Sequence, residues 1–382
     1  MINIQQTLEA FAHERLNYKN KIQRAKEFCK LVKHSIYPNL DFNINYNSKY
    51  NTEDFLDLLT HVAMTHDFTQ NGSKTLKLTK EKSPMGNSAL YHIKKFDVEK
   101  IMQMFKDTFE NIFKIAKRYD LFRWKMDIAI DLHDWMYYGN PNDSMVVGAK
   151  CKNGTKWAFR FATLNIVVAG KRFTLMVLPM SQFTTKEYVL ERLITYAQNK
   201  IKIGTVYADR GFFNVMCLRT LDKLGVDWMI PAIQNEKIKP LVEENDPLTV
   251  LDYTIGDARY EKKHTSFKLV IVKSNKDPNK KVAFATNKDI TSDNAQEECD
   301  KYSNRWGIET SYRVKGDFRP RTTSKAYVVR LFYFIFSVCL YNLWILANIF
   351  IGAIFRKVLK KPLITAKMFG TILYTTYLVD CG

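Results

Sequence analysis

The chain has 382 residues, of which 46% are hydrophobic and 25% are charged. This length and composition exclude a peptide, a small disulfide scaffold and a wholly disordered protein. Lys and Arg number 58 against 39 Asp and Glu, a formal net charge of +19 that favours a polyanionic partner, most often nucleic acid and less often an anionic membrane surface.

The cysteines and histidines show no metal-binding or redox pattern. Six cysteines are spread along the chain without a CxxC pair, and the seven histidines have no HxxxH spacing. We therefore expect neither a structural zinc site nor a disulfide framework. The first 21 residues hold no apolar core of a secretory signal, which favours a reducing intracellular compartment.

The first 120 residues are predicted to form a helical domain. Helical periodicity is present at 5–32, 54–64, 88–95 and 98–119. A breaker-rich stretch that includes Asn71-Gly72-Ser73 separates the second of these segments from the third. The third segment is short, basic and preceded by a turn, which suits a helix-turn-helix-like DNA-binding unit, although any small helical bundle offers this pattern. Its basic and aromatic residues are Tyr91, His92, Lys94 and Lys95.

Strand-like sequence begins at Lys125. Strands are predicted at 125–132, 156–170, 172–180, 203–211 and 226–232, with helices at 185–199 and 212–224. This order predicts an α/β domain with a mixed sheet. The lysine-rich residues 233–287 contain two more strand candidates, at 267–273 and 281–287. Helical sequence then runs from 292 to 360, with an interruption near Arg319-Pro320-Arg321.

These patterns predict four regions. They are a helical domain at 1–120, an α/β domain at 121–232 and 288–360, a β-rich insertion at 233–287 and a C-terminal tail at 361–382. No internal repeat or long low-complexity tract is present.

One segment is long and apolar enough to cross a membrane. Residues 331–355 carry no formal charge, and a span of this length suffices for a transmembrane helix. Ser337, Asn342 and Asn348, together with the lack of a second comparable run, favour a helix buried within a large domain, which is also apolar on all sides. A single membrane anchor is the alternative.

Carboxylates occur at three places where an α/β sheet could present them. In the first strand, the two-residue period puts Asp127, Ala129 and Asp131 on one face. An acid inside an apolar strand is costly unless it is paired or binds a cation, so Asp131 is expected to lie beside a metal ion or a base. The alternative is a strand face open to water. Asp127 and Asp134 compete with Asp131 for this position, and Asp131 is the better match to the end of the strand.

Asp209 marks the second place. It follows a buried strand and precedes Gly211 and the start of a helix. Ligand sites in open α/β sheets lie at the carboxyl ends of strands, which favours a functional role. The alternative is a helix N-cap with Arg210 as a salt-bridge partner.

The third place is a stripe of Tyr302, Arg305, Glu309 and Arg313, which share one face if the segment is a helix. The alternative is a solvated ion pair between Arg305 and Glu309. The surrounding charge favours a functional role, because residues 301–330 contain eight basic side chains and two acidic ones. Cations around an embedded acid suit phosphodiester chemistry at a metal ion.

In this order the three blocks resemble the DDE transposases of prokaryotic insertion sequences, whose catalytic domain is ribonuclease H-like. Asp131 in AIDLHDWMYYG is similar to the first acid, Asp209 in YADRGF to the second, and Glu309 in YSNRWGIETSYR to the third. The last block resembles the subgroup marked by Tyr, Arg, Glu and Lys on one helix, and the closing helix and the β-rich insertion are also similar. Lys315 stands one residue closer to Glu309 than the Lys of that subgroup, which leaves its assignment open.

The resemblance, which covers about residues 120–350, implies a ribonuclease H-like fold and a transposase that cleaves and transfers DNA strands with Mg²⁺ or Mn²⁺. Asp131, Asp209 and Glu309 would be the catalytic residues and the metal ligands. The residues implied in DNA binding are Tyr302, Arg305, Trp306, Arg313, Lys315, Arg319 and Arg321. Trp306 would stack a flipped base, or else belong to the core. The implied partners are double-stranded DNA (the terminal inverted repeats and the target) and a second copy of the chain, in the cytoplasm at the nucleoid.

Two alternatives come from other classes of protein. One is a catalytically silent DNA-binding protein derived from a transposase, which would bind the terminal repeats without cutting them. The other is a membrane-anchored protein that uses residues 331–355, which cell fractionation would detect.

Overall fold

The structure is a computed structural model that describes residues 29–118, 122–168, 171–257, 260–275, 277, 279–354, 362 and 364–379. The chain divides into two compact units. The helical unit comprises residues 1–121 and 311–382, and the sheet unit comprises residues 122–310. The C-terminal segment from residue 311 thus groups with the N-terminal helices. The sequence pattern had assigned this segment, as far as residue 360, to the α/β domain.

The secondary-structure elements follow one another in this order. The strands are β1 (Met126–Met136), β2 (Val147–Lys152), β3 (Thr155–Val168), β4 (Lys171–Met180), β5 (Ile203–Ala208), β6 (Asp227–Pro231), β7 (Thr249–Asp257), β8 (Tyr260–Lys273) and β9 (Lys281–Thr286). The helices are α1 (Thr52–Thr65), α2 (Thr69–Lys77), α3 (Gly86–Lys94), α4 (Val98–Arg118), α5 (Lys186–Gln198), α6 (Val215–Lys223), α7 (Ile238–Glu244), α8 (Ala295–Lys301), α9 (Gly307–Asp317), α10 (Tyr327–Ile354) and α11 (Ala366–Val379). Residues 29–36 are also helical, and 3₁₀ turns lie at Tyr37–Asn39, Arg210–Phe212 and Tyr302–Trp306.

The sheet unit is built on one mixed sheet. Its strand order is β2-β3-β1-β5-β6-β9-β8-β7, with β4 paired to β3. β1, β5 and β6 are parallel to one another, and the other pairings are antiparallel. The strands of the predicted insertion extend this sheet, because β9 pairs with β6. The predicted α/β fold with a mixed sheet is confirmed, and β7 is a strand that the sequence analysis missed.

The apolar segment 331–355 lies largely within helix α10, at the centre of the helical unit. By length and composition the helix would also suffice to cross a membrane, and 94% of its most apolar window is buried. Phe332 is fully buried and its ring lies 5.0 Å from that of Phe105 and 5.8 Å from that of Phe42. The apolar residues of α10 therefore face protein neighbours, as the core-helix interpretation predicts.

The predicted breaker at Asn71-Gly72-Ser73 is wrong, since these residues lie inside α2. A Cβ atom on Gly72 would overlap Cγ2 of Val62 on α1. The glycine is therefore present because two helices approach closely, and tertiary packing outweighs its low helix propensity. Likewise, the predicted C-terminal tail contains α11, whose Phe369 and Leu373 are fully buried.

We expect Gly72→Ala to destabilise the helical unit by about 1–3 kcal/mol, because Val62 is β-branched and has little freedom to move away within its helix. Urea denaturation followed by circular dichroism measures this change. Gly316→Ala is the matched control: Gly316 is also helical and lies in the same unit, but a Cβ there meets no atom within 4 Å. The control is expected to be neutral or slightly stabilising, and equal effects of the two substitutions would contradict the packing explanation.

His61 is a buried histidine that links α1, α2 and α11. Its Nε2 atom lies 2.9 Å from Thr75 Oγ1, and its ring stacks on Tyr374 at 5.3 Å. Burial lowers the pKa of His61 from 6.5 to about 4, against the opposing effect of Asp67. The folded protein therefore favours the neutral imidazole of His61.

Stability should therefore fall on acidification. The unfolded chain binds a proton at His61 near pH 6.5 and the folded chain only near pH 4, so the contribution is intact above pH 6.5 and is lost as the pH falls towards 4. At pH 5 the expected loss from this one group is about 2 kcal/mol relative to pH 7.5. Urea midpoints at the two pH values test this. His61→Gln should remove that part of the pH dependence, and His34→Gln, at an exposed position, should retain it.

Candidate active site

Two of the three predicted acids lie side by side in the sheet unit. The parallel strands β1 and β5 pair Ile130 with Ala208, and the next residues are Asp131 and Asp209. Adjacent strands are about 4.8 Å apart, so the two acids lie side by side where β5 ends. The expectation that Asp131 lies at the end of its strand, predicted at 125–132, is wrong, because β1 remains paired with β3 as far as Met136.

The acids that competed with Asp131 have other partners. Asp127 Oδ1 accepts a hydrogen bond of 2.8 Å from the backbone N of Thr205, where the register between β1 and β5 shifts. Asp134 binds Arg160 on the neighbouring strand through two contacts of 2.6 and 2.9 Å. Asp127 and Asp134 are thus engaged by Thr205 and Arg160, and Asp131 is the acid of β1 that lies next to Asp209.

Asp209 opens the 3₁₀ turn that follows β5. Its Oδ1 atom accepts a hydrogen bond of 2.7 Å from the backbone N of Gly211. Lys186, the first residue of α5, donates from Nζ to the carbonyl oxygen of Gly211 at 2.5 Å. A Cβ on Gly211 would lie 2.9 Å from Asp209 Oδ1 and 3.3 Å from Lys186 Nζ, so glycine permits this close approach. The turn thus holds a carboxylate and an ammonium group close together, and the sequence analysis missed Lys186.

Tyr302 and Arg305 face the two acids from a 3₁₀ turn. Side chains three residues apart are aligned in a 3₁₀ helix, and the guanidinium of Arg305 lies 5.2 Å from the centre of the Tyr302 ring. Tyr302 donates from its hydroxyl to the carbonyl oxygen of Ala208 at 3.1 Å, immediately before Asp209. Arg305 Nη1 lies 3.3 Å from Asp131 Oδ1. The predicted continuous α-helical stripe is therefore wrong in its geometry, yet it correctly grouped Tyr302 and Arg305.

The surroundings of Arg305, Tyr302 and Arg160 raise the pKa values of all three side chains. Burial opposes ionisation of Arg305, but Tyr302, Asp131 and Asp209 outweigh it and raise the pKa of the guanidinium. Burial chiefly raises the pKa of Tyr302, with Asp209 and Asp131 acting in the same direction and Arg305 against them. Nearby Arg160 also has a raised pKa, mainly through its hydrogen bonds to Asp134 and in smaller part through Asp209. Tyr302 is therefore a neutral hydrogen-bond donor and Arg305 a permanent cation.

The other predicted site residues follow Arg305 in the chain. Glu309 belongs to α9, which begins directly after the 3₁₀ turn, but the side chains of Glu309 and Trp306 lie outside the described part of the structure. Arg313 and Arg321, in the helical unit, are exposed.

Lys315 and Arg319 of the helical unit are not exposed. Lys315 is only 2% exposed, and its ammonium group lies 4.8 Å from the Tyr312 ring and 5.0 Å from the Tyr341 ring. Burial, aided by Arg330, lowers the pKa of Arg319 to about 10.

The described residues of this site fit a divalent metal ion in part. Among the described side chains, no group of three or more His, Cys, Asp or Glu is placed to hold a metal ion. Asp131 and Asp209 nevertheless supply two adjacent carboxylates, the hard oxygen ligands that Mg²⁺ and Mn²⁺ prefer. The third predicted ligand is the undescribed side chain of Glu309.

Comparison with known proteins identifies the class as that of the DDE transposases. The family of transposase DDE domains matches residues 150–343, just over half of the chain, and the protein belongs to this family. The matched region includes Asp209 and Glu309 and begins after Asp131.

A solved structure agrees with this assignment at the level of the fold. The cryo-EM structure of a piggyBac transposase synaptic complex with hairpin DNA is similar over 100% of this chain and 81% of that chain, with a TM-score of 0.57 and 12% sequence identity. At this identity the similarity establishes a shared transposase fold, in agreement with the ribonuclease H-like fold expected from the sequence. No curated protein matches the chain significantly.

Proposed function

We propose that the protein is a transposase of an insertion element that cleaves DNA at the terminal inverted repeats and transfers the ends to a target. The observation that carries this proposal is the adjacency of Asp131 and Asp209 on paired parallel strands, with Arg305 against the first of them. Membership of the transposase DDE domain family supports it. The subgroup with the Tyr-Arg-Glu-Lys signature is part of the proposal, supported by the order of Tyr302, Arg305 and Glu309.

In this proposal Asp131, Asp209 and Glu309 hold Mg²⁺ or Mn²⁺. The metal supplies activation of a hydroxyl nucleophile and stabilisation of the leaving oxygen. Arg305 orients Asp131 and balances its charge, while Tyr302 anchors the 3₁₀ turn to the end of β5. Lys186 lies beside Asp209 and is suited to contact a phosphate of the bound strand.

We place DNA contacts on the exposed Arg313 and Arg321, and base stacking on Trp306. The burial of Tyr302, Arg305 and Lys315 favours roles in positioning rather than direct contact with the DNA backbone. Action as a homodimer on two DNA ends, in the cytoplasm at the nucleoid, is also part of the proposal.

The decisive experiment is cleavage of a duplex taken from the inverted repeats that flank the reading frame. We expect nicking or double-strand cleavage at the repeat end in Mg²⁺ or Mn²⁺, and none after chelation, because carboxylates alone cannot stabilise the leaving oxygen. A scrambled duplex of equal composition is the control. Specific binding of the repeat without cleavage in either metal would instead support the catalytically silent DNA-binding alternative.

A further inference from the structure

Helices α1 and α2 form a pair joined by a three-residue turn, His66-Asp67-Phe68. The backbone N of His66 donates to Ala63 O at 3.3 Å and that of Asp67 donates to Val62 O at 3.1 Å, the two bonds of a Schellman motif. His66 has the left-handed conformation that this motif requires, with φ 50°. A turn of three residues between two helices is the kind of connection that a helix-turn-helix unit uses.

The buried face of α2 fixes its orientation on α1. This face consists of Thr69, Gly72, Ser73 and Leu76. Gly72 allows close approach to Val62, and Thr75 hydrogen-bonds with His61. A helix held in this way presents its opposite face as a rigid surface.

The opposite face of α2 carries polar and basic residues. Gln70, Asn71, Lys74 and Lys77 are all exposed, and the amide nitrogen of Asn71 also donates to Asp67 Oδ2 at 2.5 Å. Neither Lys74 nor Lys77 forms an ion pair with any residue that the structure describes. Gln and Asn are suited to read adenine in the major groove, and Lys to bind guanine or phosphate. This residue set therefore has the chemistry of a DNA-reading helix face.

Arg321 adds a further cation at the beginning of α2. Its backbone N donates to Asp67 O at 2.9 Å, and its exposed guanidinium lies 4.6 Å from the centre of the Phe68 ring. Phe68 immediately precedes α2, so Arg321 flanks the end of the helix that carries Gln70 and Asn71. A guanidinium next to a reading helix is placed to bind a DNA phosphate.

We propose that α2 is the recognition helix of this protein and lies in the major groove of duplex DNA, with Gln70 and Asn71 facing base edges and Lys74, Lys77 and Arg321 contacting phosphates. This differs from the sequence-based expectation, which favoured the segment now seen as α3. The identity of the DNA, a terminal repeat, rests on the proposed function, whereas the reading surface rests on the geometry of α1 and α2.

The test is equilibrium binding of the full chain to a labelled terminal-repeat duplex and to a scrambled duplex, by fluorescence anisotropy at several salt concentrations. We expect Gln70→Ala to weaken binding to the repeat on the order of 10- to 100-fold with little change on the scrambled duplex. Lys74→Ala should weaken binding to both and reduce the salt slope by about one. Circular dichroism confirms that each variant is folded.

Matched controls lie on α3, where Asn87 and Lys94 are also exposed. Asn87→Ala and Lys94→Ala should leave discrimination unchanged, and a loss there with none at Gln70 would overturn the proposal. The cleavage assay separates this inference from the proposed function. If the wild type cleaves the repeat and Gln70→Ala binds it as tightly as the wild type, only the inference about α2 fails. If the wild type neither prefers nor cleaves the repeat, both fail.

Discussion

Replacing Asp209 with Asn is expected to lower the rate of DNA cleavage by on the order of 10³-fold or more, since metal stabilisation of a phosphoryl transition state is worth several kcal/mol. Asn has the size of Asp and can still accept the hydrogen bond from Gly211, so the turn after β5 is retained. The substitution removes the negative charge beside Asp131 and Lys186. Cleavage of the terminal-repeat duplex in Mg²⁺ at saturating protein measures the effect.

Asp252→Asn is the matched control for this prediction. Asp252 lies in the same sheet unit on β7, its side chain is 93% exposed, and its ion pair with Lys268 spans 3.6 Å. The control should cleave as the wild type does, and both variants should bind the repeat with unchanged affinity. Cleavage by Asp209→Asn at the wild-type rate would exclude this carboxylate as a metal ligand.

The sequence could place Asp131 and Asp209 near each other because each acid follows apolar residues of a strand, and parallel strands end at a common edge. Among Asp127, Asp131 and Asp134 the resemblance favoured Asp131, but periodicity within the strand did not exclude the other two. That choice depends on strand register: Asp127 binds Thr205 where the register shifts, and Asp134 lies opposite Arg160. Register is a tertiary property that periodicity within one strand does not contain.

Local patterns also failed where packing between distant segments decides the structure. The spacing of Tyr302 and Arg305 suits both an α-helix and a 3₁₀ turn, and only the contacts with Ala208 and Asp131 distinguish the two. Glycine has a low helix propensity, but Gly72 lies within α2 and allows close contact with Val62 on α1. Strand β7 was not predicted, and its pairing with β8 from Thr249 to Asp257 stabilises it as a strand.

The apolar helix α10 leads to the second prediction. Phe332→Ala is expected to destabilise the helical unit by about 3–5 kcal/mol, because a large buried ring leaves a cavity that its neighbours fill only in part. Those neighbours are Phe42, Phe96, Phe105 and Phe336, with ring centres 5.0 to 6.5 Å away. Urea denaturation in detergent-free buffer, followed by circular dichroism, gives the change in the midpoint at constant slope.

Two further variants make this prediction specific. Phe332→Leu retains most of the apolar volume and should cost clearly less than Phe332→Ala. Tyr46→Ala removes an aromatic ring of the same unit that is fully exposed, and it should leave the midpoint unchanged. An unchanged urea midpoint for Phe332→Ala would contradict the burial of α10 against the N-terminal helices and would favour the membrane-anchored alternative. A large loss of stability in the absence of detergent requires that the Phe332 ring be surrounded by protein. The most apolar segment of the chain is then the core of the helical unit, which also carries the proposed recognition helix.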